Sequence, residues 1–122
     1  MMTIEEYMQI EPIPFLPRYA SSKDGRIWSY KSGKYLIPTL HNGYNQVNIL
    51  YNGKRKFFSI ARLVASTYLQ LDYDDKRKCV HHKNEVKTCD YLYNLCIMSI
   101  TEHLKHQHKY RRLKIKEKAN EK

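Results

Sequence analysis

Segments rich in Tyr, Val and Ile run from Arg18 to Ile60, separated by turn signals at Asp24-Gly25, Ser32-Gly33, Asn42-Gly43 and Asn52-Gly53. Gly after Asp, Ser or Asn supplies the positive φ that tight hairpins need, so this stretch predicts an antiparallel β-meander. The clearest hairpin has Val47–Tyr51 and Lys54–Phe58 flanking the two-residue Asn52-Gly53 turn. The period then changes. Ser59 is a capping residue, and Ile60, Leu63, Val64, Tyr68 and Leu71 fall at i, i+3, i+4, i+8 and i+11, which predicts a helix with one apolar face. Residues 71–75 form an acidic connector. Two short strands are expected beyond it, at 79–82 and 95–98. Ser99-Ile100-Thr101-Glu102 is a capping box, so a second helix should start at Ile100. His103 and His106 then share one helix face. The expected class is α+β.

At 122 residues the chain is one compact unit or two very small ones, with a modest core that metal binding would help to stabilise. The 22 Lys and Arg against 12 acids give a formal charge of +10. The charge is unevenly placed. Between Pro12 and Leu71 nine basic residues accompany one acid, Asp24, and from His103 to Lys122 eight basic residues accompany two acids. That favours a polyanionic partner held through phosphates. No secretory signal is expected, because the first eleven residues carry three glutamates. No apolar run approaches a membrane span. The three cysteines, Cys79, Cys89 and Cys96, form no C-x-x-C pair, so neither a structural zinc site nor a disulfide framework is expected. Reduced thiols in a cytoplasmic protein are the default reading. The 11 tyrosines and one tryptophan raise base stacking as a possibility, but aromatics at strand spacing more often build sheet faces.

The histidines change the picture most. His81-His82 is followed by Asn94, twelve residues after the second histidine, and by His103, nine residues after Asn94. His106 follows one helical turn later. Hydrolysis of a phosphodiester needs a water, a base to deprotonate it and a cation to stabilise developing charge. A neutral imidazole can serve as that base near neutral pH. Adjacent residues on a flat strand point to opposite sides, so His81 and His82 converge only if the strand ends or twists there.

The text VHHKNEVKTCDYLYNLCIMSITEHLKH, residues 80–106, closely resembles the HNH endonuclease motif in its phage and intron homing-endonuclease form. The matching elements are His81-His82, Asn94-Leu95, Ser99, Glu102-His103 and His106. The front half resembles the β-rich module that precedes this core in many phage homing endonucleases. Its matching pieces are Gly25-Arg26-Ile27-Trp28-Ser29, Gly43-Tyr44, Val47-Asn48, Gly53-Lys54 and Arg62-Leu63-Val64-Ala65. Together the two resemblances cover about residues 18 to 108.

What the resemblance implies is specific. Residues 1–71 would be a β-rich DNA-contacting module, an antiparallel β-meander plus helix. Residues 72–108 would be a ββα-metal (HNH, His-Me finger) nuclease core, and residues 109–122 a basic C-terminal helix or tail. His82 matches the family's general base, and Asn94 the residue that orients it. His81 and His103 match the metal-ligand positions, with His106 a further candidate for a ligand or a phosphate contact. Relatives often carry Asp in place of His81 and Asn in place of His103, so the histidines here look more like the colicin-type variant. The implied cofactor is a divalent ion, Mg2+, Mn2+, Ni2+ or Zn2+, and an imidazole set favours the transition ions. The implied partner is DNA in duplex form, bound by a monomer or homodimer. Lys54, Arg55 and Lys56 at a hairpin tip are candidate contacts, as are Arg111 and Arg112. The tail reads equally as a basic helix along the backbone or as a frayed end.

The chain also departs from the pattern. Where the family loop often reads Asp-Gly-Asn, this one has Asn84-Glu85-Val86, and Cys89 and Asp90 replace later asparagines. Ala61 stands where many members have a histidine. The expected activity is metal-dependent hydrolysis of DNA phosphodiester bonds by a small homing or nicking endonuclease. The alternatives are an inactive DNA-binding protein on the same scaffold and a basic RNA-binding module.

Overall fold

The structure, a computed structural model, describes Glu5 and residues 9–105. His106, Arg111, Arg112 and the basic tail therefore lie outside the described residues. Among the described residues, nine strands, a helix over Ile60–Tyr68 and another over residues 100–105 form a mixed α/β arrangement of antiparallel sheets.

The first sheet holds β1 (Ile10–Ile13), β2 (Leu16–Ser22), β3 (Ile27–Ser29) and β4 (Lys34–Tyr35) in the order β1-β2-β3-β4. The second holds β5 (Thr39–His41), β6 (Tyr44–Tyr51) and β7 (Lys54–Ser59). A single meander is expected from the turn signals, and the structure divides it into these two sheets. The break falls at residues 36–38, where Pro38 lacks the N–H needed to continue a ladder. All four turn glycines take positive φ, from 64° to 84°. β1 has no counterpart in the sequence pattern, because Pro12 and Pro14 read against a strand. It is an edge strand with a register shift at Pro12/Ile13, the setting in which proline is tolerated.

Helix α1 spans Ile60–Tyr68, with Ser59 Oγ accepting the Arg62 N–H at 3.3 Å as its cap. It stops before Leu71, because Gln70 turns into the left-handed region at φ 57°. Leu71 is nonetheless buried. The buried face of α1, Ile60, Leu63 and Val64, packs with Val47, Ile49 and Phe58 from the second sheet and Ile13, Leu16 and Ile27 from the first. Burying a side chain such as Leu63 or Phe58 contributes roughly 1.5–3 kcal/mol.

The third sheet is the hairpin of β8 (Lys78–His82) and β9 (Leu95–Ser99), with His81 opposite Cys96 and His82 opposite Leu95. Leu95 belongs to the same core cluster as Val47 and Phe58, so this hairpin is seated on the front of the molecule. Ser99 Oγ accepts the Glu102 N–H at 3.1 Å, and helix α2 runs over residues 100–105 within the described part. Arg62 fixes the approach to β8. Its guanidinium donates to the carbonyls of Tyr73, Asp75 and Lys78 at 2.5 to 3.2 Å, tying α1 to the connector.

Candidate functional site

β8 ends at His82, which resolves the expected conflict between neighbouring histidines on a strand. Both side chains are buried, yet they serve different neighbours. The His81 ring lies edge-on to His103 of α2, with centroids 5.9 Å apart. The His82 ring faces the front module, 5.8 Å from the ring of Tyr44 at the start of β6. A small cavity of about 80 Å³ is lined by both histidines together with His103, Tyr44, Glu85 and Lys87. It adjoins a wider groove of about 320 Å³ that His82 and His103 share with Tyr44, His41 and Arg62.

His82 Nε2 is 2.9 Å from Asp90 Oδ1, and both side chains are almost wholly buried. A carboxylate can only accept, so Nε2 carries a proton, and whenever the ring is neutral its lone pair is on Nδ1. Asp90 does not stand out in the motif, where it appears only as a replaced asparagine. A buried acid eight residues after a histidine leaves no periodic signal, because the contact is made across a loop.

Through its side chain, Asn94 bonds to the loop that follows β8. It sits in a 3-10 turn, Leu92–Asn94, and is buried. Its Oδ1 accepts the Asn84 N–H at 3.0 Å, and its Nδ2 donates to Asn84 Oδ1 and to the Cys89 carbonyl, both at 2.9 Å. The Lys83 N–H also donates to the Asn94 carbonyl at 2.7 Å. Asn94 thus ties both ends of the 83–89 loop together, and that loop leads into Asp90.

The loop keeps its turn despite the altered sequence. Asn84 Oδ1 accepts the Val86 N–H at 2.9 Å, an Asx turn. Glu85, standing where relatives often have Gly, adopts φ 61°. Its carboxylate lies 3.4 Å from His81 Nε2.

The hairpin tip with Lys54, Arg55 and Lys56 is exposed at the far end of β6 from Tyr44. At about 3.3 Å per residue the tip stands roughly 20 Å or more from His82 along the strand. Cys79 lines the groove, but burial pushes its thiol pKa up, and Sγ donates to the Met98 carbonyl at 3.7 Å. It is therefore a poor nucleophile at neutral pH.

Residues 8–49 match the NUMOD4 motif, a motif found in HNH endonucleases. An uncharacterised HNH endonuclease of Acanthamoeba polyphaga mimivirus is 45% identical over 53 residues, 43% of this chain and 16% of that protein. In fold the chain is similar to the HNH homing endonuclease I-HmuI, whose solved structure concerns DNA binding and cleavage. The TM-score is 0.71 at 27% identity, covering 84% of this chain and 59% of that one. In a shared motif, in sequence over 53 residues and in fold, this chain is similar to HNH endonucleases. It spans about a sixth of the mimivirus relative and under two thirds of I-HmuI.

HNH endonucleases generally use a divalent metal. Among the described residues no three His, Cys, Asp or Glu side chains form a ready metal cluster. Two imidazoles bound to one ion at about 2.1 Å hold their ring centres roughly 5 to 6 Å apart. The spacing of His81 and His103 in this chain fits that span. Two ring donors would leave the remaining positions of an ion to water and phosphate.

Proposed function

We propose that this chain hydrolyses phosphodiester bonds in duplex DNA with the help of a divalent cation. The observation that carries the reading is the Asp90-bound His82 ring set beside the His81–His103 pair. In this reading β8, β9 and α2 are the ββα core. His82 Nδ1 takes a proton from the attacking water, and Asp90 holds the ring in the tautomer that leaves Nδ1 free and stabilises the charge it gains. Asn94 orients the base at one remove, by fixing the loop that delivers Asp90. His81 and His103 would hold the cation, which supplies charge stabilisation at the phosphate.

The groove between His82, His103, Tyr44 and Arg62 gives the backbone a place to lie. Lys54, Arg55 and Lys56 extend the basic surface away from it and would meet phosphates several base pairs along the duplex. Residues 1–71 act as the DNA-contacting module and 72–108 as the nuclease core, in one chain or as a pair. The comparisons favour neither an inactive scaffold nor an RNA-binding module.

The test is to incubate supercoiled plasmid with the protein and Mg2+, Mn2+, Ni2+ or Zn2+ and follow open-circular and linear products. Nicking that depends on metal and on His82 supports the reading. Tight DNA binding without cutting at any metal would leave only the scaffold.

A further inference from the structure

The segment that delivers Asp90 to His82 is docked on the β-rich front module at four points. Asn45 Nδ2, on β6, donates to Asp90 Oδ2 at 3.1 Å and to the Thr88 carbonyl at 3.3 Å. The Leu92 N–H donates to the Lys23 carbonyl, in the turn between β2 and β3, at 2.8 Å. Gly25, in the same turn, approaches Asp90 so closely that a Cβ there would stand 2.8 Å from Asp90 Cβ and 2.9 Å from its carbonyl oxygen. Its φ of 84° already requires glycine. Tyr44, next to Asn45, packs its ring near both the His82 ring and the Lys87 ammonium, which is 5.0 Å from its centroid.

These contacts share a chemical logic. A carboxylate that steadies an imidazole must itself be held, or it rotates and releases the ring. Asp90 has two oxygens. One serves His82 and the other is taken by Asn45, so the side chain is fixed from both ends. Among the described residues, nothing else on the hairpin carrying His82 supplies that second bond.

We infer that the front module is part of the device that aims the candidate base. Asn45 is a positioning residue that acts through Asp90 on His82, and Gly25 provides the close approach that lets residues 88–92 dock. The inference rests on the reading of His82 as the base. It gives the module matched by the NUMOD4 motif a role in chemistry besides any contact with DNA. Asn45 and Gly25 both lie within the matched residues.

The experiment uses the full chain and the variants Asn45→Ala, Asp90→Ala and the double substitution. The first measurement is the tautomer of His82 by long-range 1H–15N correlation, which needs no cleavage and so judges the clamp even if the wild type does not cut. The wild type should show the Nε2–H form, Asp90→Ala a tautomer mixture, and Asn45→Ala a mixture between the two. An Asn45→Ala spectrum identical to wild type at His82 overturns the inference.

The second measurement is cleavage of a duplex at saturating metal. Asn45→Ala should lower kcat roughly ten- to a hundredfold, the scale on which small misplacements act, with KM unchanged. In the Asp90→Ala background Asn45→Ala should add almost nothing, since its path to the base is already cut. Losses that multiply would show that Asn45 acts elsewhere. Gly25→Ala should reproduce the kcat loss if it folds, and Asn45→Ala carries the test if it does not.

Discussion

His82 Nε2 and Asp90 Oδ1 stand 2.9 Å apart with both side chains almost wholly buried, the histidine at the end of a strand and the acid at the end of a loop. The pair links two pieces of chain that separate networks hold in place. Asn94 braces the loop from within, and the front module holds Asp90 from outside. If His82 is the base, as proposed, its action would be sensitive to residues that never touch the substrate.

Asn94→Ala should act through the loop. It removes three side-chain hydrogen bonds to Asn84 and Cys89. Asn84 is exposed and Cys89 half-buried, so water can replace part of what is lost, and each bond contributes about 0.5–1.5 kcal/mol. A lowered melting temperature should accompany a lowered cleavage rate, with metal affinity nearly unchanged. Calorimetry of metal binding beside thermal unfolding checks this. A large fall in metal affinity with the rate per metal-loaded protein unchanged would place Asn94 at the ion instead.

Two half-buried phenols make the fold sensitive to alkali. Burial pushes the Tyr68 pKa up to about 12 and raises that of Tyr73, while Tyr68 donates to the Ser21 carbonyl at 2.6 Å. Unfolded tyrosines lose their protons near pH 10. Between about pH 10 and 12 the folded chain therefore binds more protons than the unfolded one, and stability falls as pH rises. Denaturant unfolding at pH 8 and pH 11 should show this loss, and Tyr68→Phe should reduce it. Equal pH dependence in the variant would assign the loss to other groups.

Metal preference follows from the donors. Imidazoles suit transition ions, whereas magnesium prefers oxygen. Titration of metal-free protein should give tighter binding of Mn2+, Ni2+ or Zn2+ than of Mg2+, weakened by His81→Ala and by His103→Ala. Magnesium binding most tightly, or indifference to both substitutions, would rule out this ligand pair.

Replacing Lys54, Arg55 and Lys56 together by Ala should flatten the slope of log affinity against log salt by up to about 3, near 0.9 for each phosphate no longer neutralised. The duplex must lie elsewhere if fluorescence anisotropy across a salt series gives the same slope.

Much of this fold was legible because each local signal had a single physical meaning. Asn52-Gly53 and Asn42-Gly43 fix hairpins by their positive φ, Ser59 and Ser99 cap helices by accepting backbone N–H groups, and the apolar face of α1 has no rival period. The edge strand over Pro12 was hidden because proline argues against strands in general and is tolerated only at edges. The split into two sheets rested on Pro38, whose effect depends on what would otherwise pair there. At the site, His81, His82, Asn94 and His103 stand out by spacing. Asp90, Asn45 and Gly25 do not, because their contacts join segments up to 65 residues apart in number along the chain. Only the folded geometry brings them together.

The most direct measurement is the single-turnover rate of plasmid nicking by the wild type and by His82→Ala, at saturating divalent metal and with DNA affinity measured in parallel. The wild type should nick the plasmid. His82→Ala should bind it equally well and cut at least about a hundredfold more slowly, the smallest contribution expected of a general base. A variant that keeps more than about a tenth of the wild-type rate would contradict the assignment of His82 as that base.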